Sequence, residues 1–169
     1  IRALTSIQAS QDINSAVGDC DVVAMTRKEG MSCIQVFFYR SGRNMGNKSY
    51  FPRHTKEDRD AQILAAFVAQ FYDRKSIPPV IVLSEALEDQ DVYEDAFTMQ
   101  AGRKVQLIVP QKGRYKRALD FAAKNAVQAL ERHAAQSSTR LKLRKGVADL
   151  FDLDGPPERI EIYDNSHIS

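Results

Sequence analysis

The chain has 169 residues, 43% of them hydrophobic and 27% charged, which fits one well-buried domain plus a smaller appendage and excludes long disordered tracts. Its formal charge is only +2, so any affinity for a polyanion must come from clustered charges. No apolar run reaches the roughly 18 residues of a membrane span and no basic-then-apolar leader opens the chain, so the expected setting is the cytoplasm, with no membrane partner.

Two cysteines, Cys20 and Cys33, lack metal-site spacing and are expected as small buried thiols on neighbouring strands. Residues 1–14 carry Leu4, Ile7 and Ile13 at loose helical spacing and read as the tail of a preceding helical region. The β-rich runs DVVAMTR (21–27) and MSCIQVFFYR (31–40) predict two strands around a turn at Lys28-Glu29-Gly30. Ser41 to Asn44 predicts a hairpin loop, and Asn47–Phe51 the returning strand. Thr55 offers an N-cap with Asp58 three residues on, predicting a helix over 56–72 that buries Ile63, Leu64, Phe67, Val68 and Phe71. Glu57, Asp58 and Asp60 then read as first-turn acids favoured by the helix dipole.

Beyond Ile77-Pro78-Pro79, the apolar run Val80–Leu83 predicts a buried parallel strand. A helix over 91–100, a strand over 105–109 and a long helix over 115–135 follow. The fold class expected is α/β: an RNase H-like mixed sheet of three antiparallel strands, then two parallel strands with helices. Residues 136–140 (QSSTR) read as a turn and 141–151 as a basic amphipathic helix. Asp154-Gly155-Pro156-Pro157 reads as a linker, and 159–164 as a fresh strand. The chain starts at Ile1 without an initiator Met and ends just after that strand, as expected of a piece of something longer.

Two stretches, CIQVFFYRSGRNMGNKSYFPR (33–53) and PPERIEIYDNSHIS (156–169), resemble the UvrC family, the subunit that incises DNA on both sides of a lesion in the UvrABC system. The segments LAAFVAQFY, IPPVIVLS, GRKVQLIVPQKG and AAKNAVQAL extend the likeness along nearly the whole chain. The resemblance implies residues 1–19 as the tail of a UvrB-contacting region and 20–136 as an RNase H-like domain. It implies 137–158 as a basic helix and linker, and 159–169 as the start of a C-terminal endonuclease domain. Damaged DNA and UvrB are the implied partners.

Phosphodiester hydrolysis on such a fold needs several carboxylates converging on divalent metals. The resemblance implies Asp164 as one ligand of Mg2+ or Mn2+ in the longer protein, with His167 either orienting a ligand or serving the structure. Within 20–135, Val22-Val23-Ala24-Met25-Thr26 holds no acid, Asp21 stands only at the strand's start, and Glu85 follows the fourth strand. This domain is therefore expected to be catalytically empty, with no cofactor. Arg40, Arg43, Asn44, Asn47, Lys48, Tyr50 and Arg53 combine four cations, two amides and one aromatic in fourteen residues, a pattern suited to sequence-neutral phosphate contacts. The same residues also read as solvated loop charges with Tyr50 in the core. Further basic groups occur around 103–117 and at 140–145, where Leu143, Val147, Leu150 and Phe151 would pack inward.

Overall fold

Two tight turns set the register of the first three strands. Glu29 and Gly30 (φ 52° and 77°) join β1 (Cys20–Lys28) to β2 (Met31–Arg40), and Ser41 and Gly42 (φ 50° and 71°) join β2 to β3 (Arg43–Tyr50). Paired left-handed residues match the twist of the strands they connect, which is why such loops need only two residues. The structure, a computed structural model, describes residues 17–159 and 161. The helical tail expected over 1–14 lies outside them, as do Asp164 and His167 and most of the strand expected at 159–164.

The sheet continues through β4 (Val80–Leu83) and β5 (Gln106–Ile108) in the order β3-β2-β1-β4-β5. β1, β2 and β3 are antiparallel, while β4 runs parallel to β1 and β5 parallel to β4. Among the described residues the helices α1 (Asp60–Tyr72), α2 (Gln90–Ala101) and α3 (Gly113–Leu150) complete the β-β-β-α-β-α-β-α order expected from the sequence.

Both faces of the sheet are covered, so consecutive residues of β1 from Cys20 to Ala24 are all buried. On one face Val23, Ile34, Val36 and Ile81 pack with Leu64, Val68 and Phe71 of α1 and Phe97 of α2. On the other, Val22, Phe37, Tyr39 and Val82 meet Ala118, Leu119 and Ala122 of α3, whose small side chains let the helix approach closely. Cys20 and Cys33 are both buried thiols, on β1 and β2. The outer edge of β5 is closed by α2: Glu94 accepts the Leu107 N–H at 2.7 Å and Gln90 donates to the Leu107 carbonyl at 3.1 Å. Those two side chains, one helical turn apart, satisfy groups that an edge strand otherwise presents for pairing.

Three boundaries differ from the sequence expectation. β3 begins at Arg43, not Asn47, because Ser41 and Gly42 alone make the turn. α1 begins at Asp60, not Lys56, with Gln62 returning its side chain to the Arg59 N–H at 3.0 Å. The guanidinium of Arg27 holds the carbonyls of Thr55 and Asp58 at 3.0 and 2.6 Å, removing acceptors that an earlier helical turn would need, and Asp58 instead accepts the Thr55 N–H at 2.7 Å. Glu57 and Asp58 are therefore not first-turn helix acids, while Asp60 is, and it pairs with Arg27 at 3.2 Å.

Residues 136–140 are helical, so α3 is one helix and not two. That stretch holds neither Gly nor Pro, and the Thr139 hydroxyl donates to the Ala135 carbonyl at 3.0 Å, satisfying itself inside the helix. The chain divides into two compact units, 1–130 and 131–169. In the second, the Arg144 Nε–H donates to the Pro157 carbonyl and the Leu153 N–H to Ala148. Leu143, Leu150 and Phe151 are 66 to 77% exposed there, so the inward packing expected for them is not seen.

Candidate nucleic-acid interface

Asp21 is the second residue of β1, faces α1, and is 1% exposed. Its two oxygens are both engaged: Arg40 Nη1 donates to Oδ1 at 2.7 Å and the Tyr72 hydroxyl to Oδ2 at 2.7 Å. Arg40 Nη1 also lies at 3.2 Å from the Cys20 carbonyl and 2.7 Å from its neighbour's, Tyr39. Burial pushes the Asp21 carboxyl above its ordinary range, against the opposing pull of the Arg40 and Tyr72 hydrogen bonds and the Arg40 charge. Burial, and then the Asp21 charge, hold the Tyr72 phenol well above its usual value. Cys20, in the same cluster, is pushed up to about 12 by burial first and by Asp21 second.

Asp21 has no free oxygen, and its partner in the ladder is Ile81, whereas Glu85 is exposed and lies beyond the end of β4. Ser84, between them in sequence, uses its hydroxyl to accept the Met25 N–H at 3.0 Å. Among the described residues no group of three His, Cys, Asp or Glu side chains is placed to hold a metal ion.

The seven residues of the basic hairpin do not form one surface. Directly paired residues share a face of the sheet, and the ladder sets Lys48 opposite Val36, Tyr50 opposite Ile34 and Arg43 opposite Arg40, all on the α1 side. Asn47 opposes Phe37 and Asn44 opposes Tyr39, on the α3 side. Between these pairs β2 advances two residues and β3 three, a bulge at which Gly46 takes φ 121° and its N–H is held by the Asn44 side chain at 2.8 Å. Asn47 accepts from the buried Gln35 amide at 2.8 Å, whose oxygen in turn accepts the Ser49 hydroxyl at 2.6 Å. Arg40 is committed to Asp21. Tyr50 is half-buried, with ring centroids 5.0 Å from Phe67 and 5.6 Å from Phe71. Arg43, Lys48 and Arg53 are exposed, on or just beyond the edge strand.

The other basic groups are partly absorbed by the fold. Arg103 donates to the Ile77 carbonyl at 2.6 Å, Lys116 pairs with Asp120 one turn away at 2.6 Å, and Arg114 stacks over Tyr115 at 4.9 Å. Sequence reasoning missed Tyr72 entirely and took Asp21 as marginal. The available signal was an acid opening an otherwise apolar strand, which burial makes costly without partners.

Comparison with known proteins agrees with this architecture. The family described as "UvrC Ribonuclease H-like domain" matches residues 19–133. The UvrABC system protein C of Ruegeria pomeroyi and that of Maricaulis maris are each 46% identical over 99% of this chain, and that of Paramagnetospirillum magneticum is 50% identical over the same share. In each case the chain spans 27% of the relative's length. The chain therefore belongs to the UvrC family, and the five-stranded sheet with its helices is that family's ribonuclease H-like domain.

Proposed function

We propose that this domain is a non-catalytic DNA-binding module that helps place the nuclease domains of a nucleotide excision repair incision subunit on damaged DNA. The observation that carries the reading is the fate of Asp21. The one acid of the first strand, Asp21 near its start, spends both oxygens on Arg40 and Tyr72. With its oxygens held by a guanidinium and a phenol, Asp21 does not fit Mg2+ or Mn2+, which need several converging carboxylates. In the longer protein that chemistry is assigned to Asp164, with His167 as an orienting group and the remaining ligands supplied from elsewhere. UvrB contact falls to the region preceding residue 20, and the setting is the cytoplasm.

What remains for the domain is contact, and the exposed cations Arg43, Lys48 and Arg53 supply it without a base-reading code. Fluorescence anisotropy of a labelled duplex tests this. Replacing Arg43 and Lys48 together by Ala should weaken binding and lower the slope of log affinity against log salt by about 2, one for each lost phosphate contact. Unchanged affinity and slope would remove the reading.

A second reading has its own support. Leu143, Leu150 and Phe151 are exposed apolar residues on and just after α3, the kind of side chain that docks a protein partner. In that reading the segment is a platform for UvrB or a flanking nuclease domain, with little DNA contact. Titration against UvrB, with a Leu143→Ser, Leu150→Ser variant as control, separates the two.

A further inference from the structure

We propose that the groove between α1 and the chain leaving β3 binds unpaired nucleobases, so that the domain holds single-stranded DNA in a groove that adjoins its duplex-facing edge and shares Lys48 and Arg53 with it. The inference deepens the DNA-binding reading above and rests on it.

The floor of the groove is aromatic. Tyr50, Phe67 and Phe71 have ring centroids 5.0 to 5.6 Å apart, with Phe67 and Phe71 inclined by only 26°. Two adjoining cavities of about 350 and 330 Å³ share Pro52, Phe67 and Gln70 in their walls. Phe67 and Tyr50 are half-buried, so their rings contribute to a surface as well as to the core.

The rim is cationic. Lys75 Nζ stands 3.7 Å from the Phe71 ring centroid, Lys48 Nζ 5.3 Å from that of Tyr50, and the exposed Arg53 lines the adjoining cavity. One carboxylate, Asp58, also lines it, and its oxygen is held by the Thr55 N–H at 2.7 Å. His54 lines the same cavity: with Nδ1 donating to the Thr55 carbonyl at 2.9 Å, its Nε2 is a buried acceptor with no partner among the described residues.

Aromatic faces beside Lys and Arg are the chemistry by which single strands are held: bases stack on the rings while the cations follow the phosphates. A duplex cannot use this floor, because its bases already stack on one another. An apolar peptide would gain nothing from three cations at the rim. Charge and aromatic content together therefore favour the unpaired strand.

The test uses the 169-residue chain, fluorescein-labelled oligo(dT), an abasic strand of the same length, and a blunt duplex. Ala66 is exposed on α1 and lines the groove, so Ala66→Trp fills it without altering charge. The variant should bind oligo(dT) about tenfold more weakly while duplex affinity stays within about twofold, and wild type should hold the abasic strand about as poorly as the variant holds oligo(dT). Gln70→Trp, on the same face of α1, should reproduce the result if Ala66→Trp shifts the melting temperature. Equal oligo(dT) binding by wild type and both variants, or equal binding of abasic and base-bearing strands by wild type, would overturn the groove. Neither result touches the duplex dependence on Arg43 and Lys48, so each reading fails by its own measurement.

Discussion

The phenol of Tyr72, the last residue of α1, donates to the carboxylate of Asp21 in β1 at 2.7 Å, tying helix to sheet across 51 residues of chain while Arg40 takes the other oxygen. A carboxylate so deeply buried depends on each partner. Tyr72→Phe keeps the ring and removes the donor, which should lower stability by about 1–3 kcal/mol. Arg40→Ala leaves the carboxylate without its counter-charge and should lower it by about 3 kcal/mol or more. Urea unfolding would show reduced midpoints with unchanged slopes, and midpoints equal to wild type would deny the cluster this role.

The same cluster sets the response to alkali. Cys20 in the folded chain ionises only near about 12, against an ordinary 9.0, and Tyr72 lies well above its ordinary 10.0. Above pH of about 9 the unfolded chain therefore binds fewer protons than the folded one, so stability falls as pH rises. The loss begins near the ordinary thiol value and continues toward the folded one. Urea midpoints measured at successive pH values in that window should decline, and the decline should flatten in Cys20→Ala and in Tyr72→Phe. A variant slope as steep as wild type would show that its group does not contribute.

Arg27 organises the segment between β3 and α1 through the Thr55, Lys56 and Asp58 carbonyls and the Asp60 carboxylate. A planar fork is suited to several acceptors at once, and an ammonium is not. Arg27→Ala should therefore lower stability by about 1–3 kcal/mol and raise amide exchange over residues 53–60, with Arg27→Lys recovering only part of the loss. Full recovery by Lys would reduce the interaction to simple charge.

That segment also shows where the sequence stops being legible. β2 and β4 match their predicted bounds because Met31–Arg40 and Val80–Leu83 are bounded by turn or proline signals and made of residues that fill a sheet. β3 was half hidden, since an edge strand written RNMGNKSY carries its bulge and its solvated face in the same letters as a loop. The start of α1 could not be read locally, because the residue that delays it, Arg27, belongs to another strand. α3 runs through QSSTR because weak helix formers flanked by strong ones do not end a helix without Gly or Pro. Of the site, the exposed cations were legible as composition. The pleat and the bulge that send Asn44 and Asn47 to the opposite face, and the meeting of Asp21 with Tyr72, exist only in three dimensions.

The proposal of a non-catalytic domain makes its sharpest claim about hydrolysis. If both Asp21 oxygens are consumed internally and Glu85 stands alone beyond β4, nothing in residues 20–135 can bring two cations to one phosphate. The 169-residue chain should then leave supercoiled DNA intact in Mg2+ and in Mn2+. Freeing the buried acid should not create activity either, because Arg40→Ala supplies one carboxylate where several are required. Nicking by the wild-type chain that needs the metal and vanishes in Glu85→Ala would overturn the proposal. It would do so specifically, since Glu85 is exposed and makes no hydrogen bond or ion pair among the described residues on which the fold depends.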